Sequence, residues 1–106
     1  MSFDVSKGRA VVRQQIQELD ALAKQTLQDL NTVAGAERVV KWKARTVALI
    51  TDTVSPQEGQ KFSSVLPGPS FTNDLVEEFS DLIECYRAPL LALAERLDQA
   101  PPPHVR

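Results

Sequence analysis

Residues 11–33 read VVRQQIQELDALAKQTLQDLNTV. Val12, Ile16, Leu19, Ala23, Thr26, Leu30 and Val33 follow one another at intervals of 4-3-4-3-4-3. That spacing keeps one face of an α-helix apolar and has heptad character. Leu22 and Leu27 flank the seam and widen it, so this helix is expected to meet more than one neighbour. It runs from about Val5 to Thr32. Ser6 or Asp4 is the candidate cap at its start, Gly8 weakens its first turn, and Gly35 is the candidate stop.

The same period continues beyond it. From about Ala36 to Thr53, Val40, Val47 and Val54 recur every seven residues, with Val39, Trp42, Leu49 and Ile50 beside them. The many β-branched residues make a strand the rival reading for Thr46 to Val54. Helix is preferred, because the seven-residue recurrence carries on from the charged half and no turn signal interrupts it. Ser55-Pro56-Gln57-Glu58 then places serine at N-cap, proline at N1 and glutamate at N3, the pattern of a capping box. A short helix should follow, with Phe62, Val65 and Leu66 inward. Residues 66–70, Leu-Pro-Gly-Pro-Ser, break the chain.

A last helix is expected from about Asn73 to Gln99, with Thr72 as its cap. Leu75, Phe79, Leu82, Tyr86, Leu90, Leu93 and Leu97 form its stripe, thickened by Val76 and Ile83. Pro89 inside it predicts a kink or break near Cys85 to Pro89. Residues 100–104, Ala-Pro-Pro-Pro-His, read as a stiff linker or tail.

The expected architecture is therefore all-α: a small antiparallel helical bundle of about three long helices and one short one. It forms a single domain over residues 1–99, followed by a proline-rich tail over 100–106. Short connections between the first three helices favour antiparallel neighbours. The expected core comprises Ile16, Leu19, Leu30, Val40, Val47, Ile50, Phe62, Phe79, Leu82, Ile83, Leu90 and Leu93.

Composition narrows the function. The chain has 106 residues, one domain's worth. Twelve bases against 14 acids give a net charge of −2, where a dedicated nucleic-acid binder is usually basic. One Cys and one His leave no internal disulfide, no Cys/His metal site and no histidine-centred triad. The four glycines are too dispersed to cradle a phosphate. No leader-like apolar region opens the chain and no run approaches a membrane span, so a cytoplasmic, non-membrane protein is expected. No enzyme activity, cofactor or metal is expected.

Two charged clusters remain. Arg38, Lys41 and Arg45 share a helical face, with Lys43 and Trp42 among them. They could contact phosphate with Trp42 as a stacking ring, or form a solvated face with Trp42 packed inward, the preferred reading. Glu77, Asp81 and Glu84 share a face of the last helix. A catalytic carboxylate pair needs a pocket and pKa values driven apart, which an exposed face does not supply. Residues 1–51 carry eight bases and five acids, +3; residues 52–106 carry four and nine, −5. The basic face of the second helix is expected to lie against the acidic face of the last, within one chain or between subunits. Cys85, beside the apolar stripe with acids at Asp81 and Glu84, reads as a small buried filler.

Residues 38–46, Arg-Val-Val-Lys-Trp-Lys-Ala-Arg-Thr, contain the pattern Trp-Lys-x-Arg-Thr. Val54-Ser55-Pro56, Glu58 to Phe62, and Tyr86-Arg87-x-x-Leu90-x-Ala92-Leu93 follow in order. This order resembles the helical N-terminal region of certain bacterial proteins that end in a nucleotide-binding, Toll/interleukin-receptor-like domain and are suspected of acting in antiphage defence. The resemblance covers about Ala36 to Leu97. It implies that nucleotide chemistry belongs to an effector domain outside this chain, and that no catalytic residue carries over. What it implies here is a helical regulatory or assembly role, with Trp42, Lys43, Arg45 and Thr46 as motif positions and residues 100–104 as the linker. The expected function is a non-catalytic interaction module that self-associates as a homo-oligomer or docks a protein effector. The alternative is a small nucleic-acid-binding protein using the basic face around Trp42. The Trp-x-Gly turn of secreted helical-hairpin proteins is missing, since Lys43-Ala44 follows Trp42.

Overall fold

A computed structural model describes residues 5–68 and 74–99. It contains four helices: α1 (Val5–Asp29), α2 (Thr32–Thr53), α3 (Pro56–Ser63) and α4 (Leu75–Gln99). The fold is a small all-α bundle, as the periodicity predicts. Among the described residues there is no strand, so the β-branched run from Thr46 continues α2. The candidate caps Asp4 and Thr72, the 69–70 part of the break and the 100–106 tail lie outside the described residues.

The first connection differs from the expected one. Gly35 does not stop a helix. Leu30 takes the left-handed conformation, φ 54°, and Asn31 caps α2 by accepting a hydrogen bond from the Ala34 N–H at 3.1 Å. Helix α2 therefore starts at Thr32 rather than near Ala36. Gly35 lies inside it, buried where α1 and α4 approach. A Cβ there would overlap the Thr26 side chain and come within 3.0 Å of the Phe79 ring. The third expected start is observed at Ser55 and Pro56, with the serine half of the capping box. Ser55 caps α3 by accepting from the Glu58 N–H at 3.0 Å. The Glu58 carboxylate does not need to return the bond, because the Ser55 N–H already donates to the Ile50 carbonyl at 3.1 Å. Instead it meets Arg96 of α4 at 3.2 Å. Asp74 caps α4, accepting from the Val76 N–H at 2.9 Å. Helix α4 passes through Pro89 without a break.

Helix α1 is the shared partner. It runs antiparallel to α2, with Thr26 beside Gly35 at one end and Gly8 beside Thr53 at the other. It also runs antiparallel to α4, with Asp20 joined to Arg87 and Arg9 to Asp98. Helices α2 and α4 are consequently parallel, and α3 turns back along α2, bringing Val65 to Lys43. Phe62 of α3 fills the space between Trp42 and Tyr86.

The core contains Ile16, Leu19, Ile50, Phe62, Phe79, Ile83, Leu90 and Leu93, as expected, together with Val12, Val39, Trp42, Tyr86 and Ala94. Val47 and Leu82 are only partly buried against it. Two expected core residues lie outside: Leu30 is 71% exposed and Val40 69%. Leu30 is expelled by its left-handed backbone at the turn. Val40 is displaced by Trp42: the inward face of α2 is Val39, Trp42, Thr46, Ile50 and Thr53, and a ring system of that size decides which side turns inward.

Candidate interaction site

The Trp-Lys-x-Arg-Thr block is bound into the fold at every specified position. Trp42 is 0% exposed. Its indole N–H donates to the Gln15 carbonyl of α1 at 3.0 Å. One turn on, Thr46 is also buried, and its hydroxyl oxygen accepts from the Gln15 side-chain amide at 2.8 Å. Gln15 therefore holds both motif residues, one through its backbone and one through its side chain. Sequence reading does not single out Gln15. Its only signal is a polar residue beside Ile16 on the inner edge of the α1 seam. Lys43 donates to the Val65 carbonyl at 2.6 Å and lies 4.9 Å from the centre of the Tyr86 ring. Arg45 pairs with Glu18 of α1 at 3.6 Å. A buried donor or acceptor must find a partner, and here the motif supplies those partners between helices.

Three rings close the junction of α2, α3 and α4. Trp42, Phe62 and Tyr86 lie 5.9 to 6.3 Å apart, centre to centre, in edge-on or tilted arrangements. Burial raises the Tyr86 hydroxyl above the ordinary tyrosine pKa, and charge on the neighbouring Cys85 adds to the rise. Trp42 is packed inward, the reading preferred from the sequence, and its ring is closed off from solvent.

The expected pairing of the basic face of α2 with the acidic face of α4 is not observed among the described residues. The ion pairs between the long helices run to α1. Arg9 and Arg13 meet Asp98, Arg87 meets Asp20 at 2.9 Å and Arg45 meets Glu18. The bond from Asp20 holds the Arg87 guanidinium above its ordinary pKa. Arg9 also donates to the Leu97 carbonyl at 3.1 Å, placing a cation at the negative end of α4. Glu77, Asp81 and Glu84 lie toward solvent, and Glu84 sits 4.0 Å from Arg87. No group of three His, Cys, Asp or Glu side chains among the described residues is placed to hold a metal ion. No described helix is long and apolar enough to cross a membrane.

Two surfaces stand out. One is a groove of about 640 Å³ between the N-terminal halves of α2 and α4, lined by Val33, Ala36 and Glu37 of α2 and by Phe79, Asp81 and Leu82 of α4. Cys85 lines it, half-buried rather than enclosed. Gly68 and Leu75, near the two ends of the 69–73 segment, also stand on its wall.

The other surface is the outer face of α2. Val33, Glu37, Val40, Ala44 and Ala48 follow at intervals of 4-3-4-4 and are all exposed. They lie opposite the buried row of Val39, Trp42, Thr46 and Ile50. Arg38 and Lys41 flank this face and make no ion pair with a described residue.

Comparison with known proteins finds no matching family model, no matching curated protein and no matching solved structure.

Proposed function

We propose that this protein is a non-catalytic helical interaction module whose working surface is the outer face of α2. The supporting observation is the pair Val33 and Val40, 71% and 69% exposed, seven residues apart on a helix face turned away from the core. At the edge of that face stands Lys41, a charge that no described residue pairs. An apolar stripe edged by free charge is the composition of a helix that docks another protein element. Regulation of an effector is the part of this reading that rests on the sequence resemblance alone. Nucleic-acid binding is not favoured. With Trp42 buried and Arg45 held by Glu18, Arg38 and Lys41 are the cations left on this face, and affinity of that kind grows with the number of phosphates neutralised.

Site-specific photo-crosslinking in the source cells tests the reading. A crosslinking side chain at position 40 is expected to give a protein adduct of defined mass, whereas one at position 28, exposed on α1, gives none. Adducts at neither position, or equally at both, would end it.

A further inference from the structure

The outer face of α2 is complementary to itself, and we infer that its partner is a second copy of this chain. The inference rests on the reading of that face as the working surface, and it adds the partner and its register. Val33, Val40 and Val47 repeat at seven residues, the period of a left-handed helix–helix seam. Within the chain Val47 packs partly against the core, while Val33 and Val40 are left exposed. Val40 is the more central of the two exposed valines on α2, and Ala44 and Ala48 beside it let a second backbone approach closely.

Charge fixes the direction. Glu37 and Lys41 are four residues apart, on the same side of the valine row. Four residues span about 6 Å of helix. A second α2 laid antiparallel, with the two-fold axis beside Val40, brings the same flank of both helices together. Each Lys41 then lies within side-chain reach of the partner's Glu37. The same register sets Val40 against the partner's Val40. A parallel two-fold would carry the partner's Glu37 and Lys41 to the other flank of the seam, so only the antiparallel arrangement uses these charges. One helix pair is a small interface beside the roughly 1,200 Å² of stable complexes, so association in the micromolar-to-millimolar range is expected.

Sedimentation equilibrium on the full chain tests this. The wild-type mass should climb from monomer toward dimer with concentration. Val40→Glu should stay monomeric over the same range, a loss of at least about tenfold in affinity (1.4 kcal/mol or more). Glu37→Lys and Lys41→Glu, each alone, should associate several-fold more weakly than wild type, because each sets like charges together. An equimolar mixture of those two variants should recover the wild-type affinity. In the mixed dimer the lysine introduced at position 37 of one chain faces the glutamate introduced at position 41 of the other. All three positions are exposed, so unchanged helical circular dichroism is expected throughout. A wild type that stays monomeric, a Val40→Glu variant that still dimerises, or a mixture no tighter than either charge variant alone would overturn the antiparallel dimer. A monomeric wild type that still crosslinks through position 40 to a different protein would sink the dimer and leave α2 as the working surface.

Discussion

Gln15 sits where α1 and α2 exchange buried polar contacts, and its energetics follow from what it satisfies. The side-chain amide donates to Thr46 and the backbone carbonyl accepts from Trp42. Thr46→Val keeps the shape and removes the acceptor, leaving a buried N–H unpaired, which costs about 1–3 kcal/mol. Gln15→Leu in the Thr46→Val background removes the orphan as well, so the double variant should recover part of that loss. Chemical denaturation of the four proteins of the cycle measures the coupling, and strictly additive losses would show that the bond contributes nothing. Tyr86 offers a second test at this scale. It is the only tyrosine in the chain, so its ionisation can be followed by ultraviolet absorbance without interference from another. Its pKa in the fold is raised, by burial first and by Cys85 second. The fold therefore favours the neutral phenol. The stability this gives is complete below the unfolded value near 10 and is lost as pH rises through the higher folded value. Absorbance titration should show a midpoint above 10 that drops on unfolding. Tyr86→Phe should flatten the alkaline fall in stability, and a native midpoint at or below about 10 would contradict the burial argument.

Helix boundaries and crossings are the next scale, and two small substitutions of opposite sign test them. Gly35→Ala raises helix propensity and would ordinarily stabilise a helix interior by about 0.5–1 kcal/mol. Here the new methyl meets Thr26 and the Phe79 ring, so overpacking of about 1–3 kcal/mol is expected to win. Leu30→Gly is expected to go the other way. Leu30 buries little, and the left-handed conformation costs a non-glycine residue about 1–2 kcal/mol. Glycine's greater freedom in the unfolded chain offsets part of that gain, so a small rise in thermal midpoint is expected; a fall would mean that Leu30 makes contacts its exposure does not suggest. The same two residues show what the sequence can and cannot disclose. The α1 seam and the Ser-Pro-x-Glu start of α3 are legible because each is a local rule satisfied by local residues. The α1–α2 turn is not, because leucine takes the conformation usually given to glycine, and the glycine nearby serves a helix crossing instead. The register of α2 differs from the one its valines suggest. Val40, Val47 and Val54 carry a cleaner heptad than the true inner row, which includes Thr46 and Thr53. Those two threonines enter the core only because Gln15 and the Leu49 carbonyl satisfy them. The basic cluster is legible as residues. That its tryptophan faces inward while its valine faces outward follows from the size of the ring, and no period in α2 contains that information.

At the scale of the molecule, α1 and Trp42 tie the bundle into one cooperative unit. Trp42 reaches α1 through Gln15, α3 through Phe62 and α4 through Tyr86. The ion pairs from α1 to α4 are exposed, and pairs of that kind are worth about 0–1 kcal/mol each. They serve to orient α4 antiparallel to α1, while burial supplies the cohesion. Between the opposed halves of the sequence, +3 and −5, Arg9 and Arg13 meet Asp98 with the trend. Asp20 of the basic half bonds Arg87 of the acidic half, against the trend. A helix that left the bundle would expose at least one of the three rings at this junction, so partial unfolding has no inexpensive route. Trp42 is the only tryptophan, and its emission reports this junction alone, whereas far-ultraviolet dichroism reports all four helices. The two signals should give coincident thermal transitions. An earlier fluorescence transition would mean that α3 or α4 peels from a surviving α1–α2 hairpin, and the single-unit picture would be lost. The inferred dimer adds a condition to the same experiment. Association of folded chains draws the equilibrium away from the unfolded state, so the wild-type midpoint should rise with protein concentration. In Val40→Glu the midpoint should stay constant, because the substitution leaves the core intact and removes only the surface through which concentration acts.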